Sequence, residues 1–274
     1  MRTTILIFVI TVLSFTNVFA QSSPGDIVTD RPDQTESPDL VPPGYVQIEG
    51  GISYNKLSYD TKSYIRSIIT EKNMSIPLLI RIGVFQSFEF RISGEYSYTK
   101  TKLDYPDGNV EVISGGSFVV SGYPPLVLGT KLKIVDESEY IPNSAFLFHV
   151  DLPQVATGAF NSDYPTPEFR VALSKTLSET FSLGLNLGAE FNTLYRKTNG
   201  IYTLALGAGL TEKIGSFIEF YGFFEKGFNR HYLDGGLTYL FLPNVQFDVS
   251  GGVGLNENAT DFFIGGGLAM RLPR

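Results

Sequence analysis

From Gly44 onward, apolar and polar residues alternate with a period of two. In the run 181–192, Phe181, Leu183, Leu185, Leu187, Ala189 and Phe191 share one face; Ser182, Gly184, Asn186, Gly188, Glu190 and Asn192 share the other. The same alternation runs through 88–99, where Phe88, Phe90, Ile92, Tyr96 and Tyr98 oppose Glu89, Arg91, Ser93, Glu95, Ser97 and Thr99. It runs again through 245–256. A period of two is the signature of a strand with two unlike faces. Runs of about ten residues exceed the usual five or six of a globular strand. The pattern predicts twelve strands, near 44–57, 63–84, 88–101, 123–135, 144–152, 167–177, 181–194, 200–211, 216–226, 231–241, 245–256 and 261–272. No segment carries a convincing helical period.

The connectors alternate in length. Residues 86–87, 177–180, 212–215 and 242–244 read as tight turns, and 102–122 and 153–166 as long loops; 136–143 is a longer exception on the short side. Transmembrane barrels carry short turns at one end and long loops at the other. An even strand number returns both termini to one side. Closure removes strand edges, which hydrocarbon cannot satisfy.

The sign of the alternation separates a soluble barrel from a membrane barrel. The polar set is rich in Gly, Ser, Asn and Thr. It also carries Glu49, Arg81, Glu89, Arg91, Glu95, Lys131, Lys133, Arg170, Glu190, Glu219, Asp234 and Asp248. The opposite set is large and aromatic on nearly every strand. Packed inside a twelve-stranded barrel it would need a very thick core, whereas a bilayer accepts it directly. Tyr45, Tyr54, Tyr96, Tyr98, Tyr195, Tyr202, Tyr239 and Phe241 sit near strand ends, as interfacial girdles require. The prediction is an all-β fold: a closed antiparallel transmembrane β-barrel of about 12 strands. A secreted two-sheet β-sandwich is the alternative that the same alternation allows.

Composition sharpens this. Charged residues make up 18 % of the 274 residues, against about 25 % in ordinary soluble domains. The chain has no Cys. That excludes disulfides, thiolate metal sites, a cysteine nucleophile and a lipoprotein anchor. A net charge of −7 argues against nucleic acid as a partner. Residues 1–20 read as a cleavable signal peptide, with Arg2 at the start, an apolar core from Ile5 to Phe15, and Val18-Phe19-Ala20 before the cut. Residues 21–43 then form a Pro- and acid-rich periplasmic lead-in, or a segment tucked into the barrel mouth. The barrel follows over 44–274.

Two stretches carry a family resemblance. One is Ile27-Val28-Thr29-Asp30-Arg31-Pro32-Asp33-Gln34-Thr35-Glu36-Ser37 with Val41-Pro42-Pro43-Gly44-Tyr45-Val46-Gln47-Ile48-Glu49-Gly50-Gly51. The other comprises Leu233-Asp234-Gly235-Gly236-Leu237-Thr238-Tyr239, Pro243-Asn244-Val245-Gln246-Phe247-Asp248 and Asp261-Phe262-Phe263-Ile264-Gly265-Gly266-Gly267-Leu268. Both resemble the outer-membrane β-barrel family named for the MetA pathway of phenol degradation, whose members are often labelled transporters. The resemblance implies an outer-membrane barrel for uptake of small aromatic or hydrophobic compounds. Many outer-membrane barrels end on an aromatic residue that assists assembly; this chain departs from that pattern with Met270-Arg271-Leu272-Pro273-Arg274.

The expected partners are outer-membrane lipid, the barrel-assembly machinery and a small solute. No cofactor or metal is expected: Asp30, Asp33, Glu36 and Asp39 lie in a Pro-broken stretch without the defined loop a hard cation wants. The lead-in motif, Asp30, Arg31, Pro32, Asp33, Thr35 and Glu36, reads as a solvated acidic arm, or as one in which Arg31 pairs with a lumen carboxylate such as Glu49. Lumen charges set pore selectivity, or else form an ion-pair network that stiffens and plugs the barrel. His149 and His231 read as polar lumen histidines. The functional expectation is passive solute uptake. The alternatives are an adhesive barrel whose loops 102–122 and 153–166 bind a partner, and a lipid-active enzyme using His149.

Overall fold

The computed structural model describes residues 24–61, 67–106, 112–161, 164–192, 197–225 and 227–274. The expected signal peptide and Tyr195 lie outside them. The strands are β1 (Tyr45–Asp60), β2 (Ile68–Phe85), β3 (Phe88–Pro106), β4 (Val112–Gly122), β5 (Leu126–Val135), β6 (Asn143–Leu152), β7 (Pro167–Thr176), β8 (Phe181–Asn192), β9 (Lys197–Gly209), β10 (Ile214–Phe224), β11 (Arg230–Leu242), β12 (Val245–Gly254) and β13 (Phe262–Pro273). All pairings are antiparallel, chain neighbours pair except that β5 joins β3 instead of β4, and β1 closes on β13 from Tyr45↔Pro273 to Lys56↔Phe262.

The ring has twelve positions because β4 and β5 share one. The outer half of β3 pairs with β4, from Ser97↔Gly122 outward. Its inner half pairs with β5, from Phe88↔Leu132 to Ser93↔Val127. The expected loop 102–122 is therefore corrected: β3 runs on to Pro106, and 112–122 returns as a strand. Lys100, Lys102 and Asp104 put charge on the parity that carries Phe88, Phe90, Ile92, Tyr96 and Tyr98 lower in the strand, because this hairpin leaves the zone where that face must be apolar. A strand of 19 residues spans about 60 Å before tilt, more than a bilayer needs.

The sequence parity is realised with inverted polarity. Arg81, Glu89 and Lys131 have no exposed surface, and Gln47, Glu49 and Glu219 are 1 % exposed. Ile218, Leu237, Phe247, Val249 and Ile264 are each 45–54 % exposed on the outer wall. Among the described residues no helix is long and apolar enough to cross a membrane; the apolar belt is built by strands. Aromatic pairs reinforce it: Tyr54 with Phe262 at 5.9 Å, Tyr96 with Tyr123 at 5.3 Å, Tyr202 with Phe224 at 5.1 Å and Tyr239 with Phe241 at 6.5 Å.

Candidate functional site

The register lines up charge on the inner wall. Arg81 of β2 stands opposite Arg91 of β3, and Glu89 stands opposite Lys131 of β5. Two cations side by side in a closed interior repel unless anions sit between them. The wall places Glu89 and Glu49 at 2.8 and 3.1 Å from Arg81, and residues 24–43 add a further carboxylate by entering the barrel at the short-turn end. The Asp30 carboxylate lies 2.6 Å from Arg91 Nη1, 3.2 Å from Arg81 Nη1 and 2.9 Å from Lys131 Nζ. Burial alone would raise its pKa; Arg81, Lys131 and Arg91 together hold it far below the usual carboxylate range. Asp33 is pushed the other way, by burial and then by the Glu219 carboxylate nearby.

The lead-in has no regular structure, so its backbone donors need partners. The wall provides them. Asp30 N–H donates to Glu49 at 3.0 Å, Gln34 N–H to Glu219 at 2.8 Å, Glu36 N–H to Asn186 at 2.8 Å and Val41 N–H to Glu89 at 2.7 Å. Side chains add to this. Arg31 makes a two-pronged pair with Asp248 at 3.0 and 3.2 Å, so its partner is Asp248 and not Glu49. The Thr35 hydroxyl lies 2.5 Å from Glu219 and 2.7 Å from the Thr203 hydroxyl. Asp30, Glu36 and Asp39 are thus bonded to the lumen wall, through Arg91 and Lys131, Arg91, and Asn143 respectively, and do not form a solvated arm. Lumen glycines make room: a Cβ on Gly51 or Gly267 would come within 2.7 and 2.5 Å of the Arg31 guanidinium.

Above this packed layer, toward the long loops, lies a cavity of about 770 Å³ with residues Asp30–Gln34 and Glu36 in its floor. Arg91, Glu95, Arg170 and Glu190 line it. Arg170 pairs with Glu168 at 2.6 Å, and Arg91 with Glu36 at 2.7 Å. Lys133 sits at the short-turn rim with Asp136 at 2.9 Å. Asp234 is buried beside Glu219 on the neighbouring strand, its direct partner in register. His149 faces the cavity with Nδ1 3.2 Å from Glu168. His231 does not face the lumen: it shares parity with outward Leu233 and meets the Tyr202 hydroxyl at 2.8 Å among Phe220 and Phe224.

Sequence reasoning missed two groups. Gln47, Asn186 and Thr203 are uncharged seats for the lead-in. Tyr221, Phe223, Tyr232 and Phe263 form an aromatic inner wall. Their signal was parity: Tyr221 and Phe223 share the face of Glu219, and Tyr232 that of Asp234. Aromatic character alone suits lipid as well as lumen.

A family model described as "Putative MetA-pathway of phenol degradation" matches residues 29–272. Among solved structures, the chain is similar to the COG4313 outer membrane channel from Pseudomonas putida F1, at 12% identity and a TM-score of 0.60 over 89% of this chain and 100% of that one. It is also similar to the NanC porin, at 9% identity and a TM-score of 0.51 over 83% of this chain and 100% of that one. At these identities the likeness is one of fold. No curated protein matches the chain in sequence.

Proposed function

The chain belongs to that MetA-pathway family, and from this premise we propose an outer-membrane channel for passive uptake of a small aromatic or hydrophobic solute. The observation that carries the reading is a closed barrel with an apolar outside and a polar inside that holds a cavity of about 770 Å³. Such a wall has one purpose in a bilayer: it offers polar surface where hydrocarbon offers none. The long-loop end faces outward and the short-turn end the periplasm. Solute enters from the loops and partitions into the cavity. It leaves when the lead-in yields at the periplasmic end, and the charged lumen residues select what stays. The names of the two similar structures, a channel and a porin, agree with this reading.

Purified barrel in liposomes tests the proposal by swelling in small aromatic solutes. Swelling that depends on solute size is expected. Folded, inserted protein with no solute flux overturns it.

A further inference from the structure

The cavity above the lead-in has two unlike walls. On the side of β3, β6 and β8 stand Glu95, Asp151 and Glu190. None of the three makes a salt bridge among the described residues: Asp151 accepts from the Thr166 N–H, and Glu190 accepts from the Asn199 amide at 3.2 Å. The cations that line the same space are already engaged. Arg31 faces Asp248, Arg91 faces Asp30 and Glu36, and Arg170 faces Glu168. Arg230, over the Phe223 ring, offsets part of the charge on Glu190; the three carboxylates still leave the cavity with excess negative charge within a low-dielectric barrel, which concentrates counter-ions. On the side of β10, β11 and β13 stand Tyr221, Phe223, Tyr232 and Phe263. Tyr221 and Tyr232 stack at 4.7 Å with planes 10° apart. Ring faces attract cations, and this wall already takes one: the Arg230 guanidinium lies 4.9 Å from the Phe223 ring centre.

We propose that the cavity is a binding site for small cationic amphiphiles, arylalkylamines or quaternary ammonium compounds, and that it discriminates against aromatic carboxylates of the same size. The ammonium lies toward Glu95, Asp151 and Glu190, and the apolar body rests on the Tyr221–Tyr232 stack. The volume suits such a ligand, since small-molecule pockets span about 300–1,000 Å³. This deepens the channel reading and rests on it, because it names the class of solute that the lumen holds.

The probes are benzyltrimethylammonium, benzyl alcohol and benzoate, titrated into the detergent-solubilised barrel by calorimetry with protein-free micelles as the reference. Benzyltrimethylammonium is expected to bind about tenfold or more tighter than benzoate. The variant E95Q/D151N/E190Q loses that preference while benzyl alcohol binding stays within about twofold. Should the triple variant not fold, the unmodified barrel answers alone: its preference for the cation must shrink from low to molar salt. Benzoate binding as tightly as the cation, no probe binding at all, a preference that survives in the triple variant, or one that salt leaves untouched, each overturns the proposal. Liposome flux separates the two claims. Cation binding without any flux keeps this site and removes the channel; flux without charge preference keeps the channel and removes this site.

Discussion

The two halves of the lumen solve the same problem in opposite ways. At the short-turn end, wall charges are cancelled by an entering peptide: Asp30 sits among Arg81, Arg91 and Lys131, and Arg31 seats on Asp248. At the long-loop end, wall carboxylates such as Glu95 and Glu190 make no salt bridge among the described residues and border an open cavity. Both halves are lined by the same strands and the same parity. What differs is whether a segment of the chain itself fills the space. A polar barrel interior is thus either packed or vacant according to charge matching with the lead-in, and the boundary between the two states runs along residues 30–36.

The sharpest way to break this comparison is to remove the anion that joins the halves. Asp30→Asn leaves Lys131 without its carboxylate partner and removes the anion that Arg81 and Arg91 share, although Arg81 keeps Glu49 and Glu89 and Arg91 keeps Glu36. Losing one partner of a buried ion cluster costs about 3–5 kcal/mol, so the lead-in is expected to undock. Limited proteolysis should then cut within 24–43 while the barrel stays intact, and conductance should rise. A lead-in as protected as in the unmodified protein contradicts the assignment.

A smaller effect comes from the seats. Gly267→Val places a side chain where Arg31 lies, a close approach that only glycine allows. Overpacking costs about 1–3 kcal/mol. Hydrogen exchange in residues 27–36 should accelerate, together with the β1–β13 seam, where the same Cβ would meet the Gly50 carbonyl at 2.5 Å, while strands away from that seam stay unchanged.

The smallest effect separates two neighbouring acids. Asp30 has a depressed pKa when docked. Its contribution is present above the ordinary value of 3.8 and is lost as pH falls below it. Asp33 has a raised pKa. Its contribution is present below that ordinary value and fades as pH rises toward the raised one. Asp33→Asn should therefore leave docking at neutral pH unchanged or slightly tighter, the opposite of Asp30→Asn. Protection of the lead-in against protease, followed from pH 3 to pH 8, gives both curves.

The fold was legible because each strand has to present one face to hydrocarbon, and that leaves a period of two in the residues themselves. Lumen carboxylates and cations could be named for the same reason: they share parity with Gly, Ser and Asn. The pairing of Asp30 with Lys131 could not be read, because it joins positions 101 residues apart through a segment with no period of its own. The outer half of the β3–β4 hairpin was hidden because nothing outside the bilayer enforces alternation there. Tyr221 and Tyr232 were missed because an aromatic residue suits both lipid and a solute-facing wall, and only register against Glu219 and Asp234 separates the two.

The central claim is that a conducting lumen is closed at one end by residues 24–43. The chain has no cysteine, so a single engineered pair can fix that segment. Thr35 and Thr203 have hydroxyls 2.7 Å apart; the variant T35C/T203C joins lead-in to wall. Planar-bilayer conductance of this barrel, recorded oxidised and then after reduction, is the direct test. The account predicts a nearly silent oxidised form, and conductance after reduction that matches the unmodified barrel. Conductance unaffected by reduction, or a folded barrel silent in both forms, contradicts it.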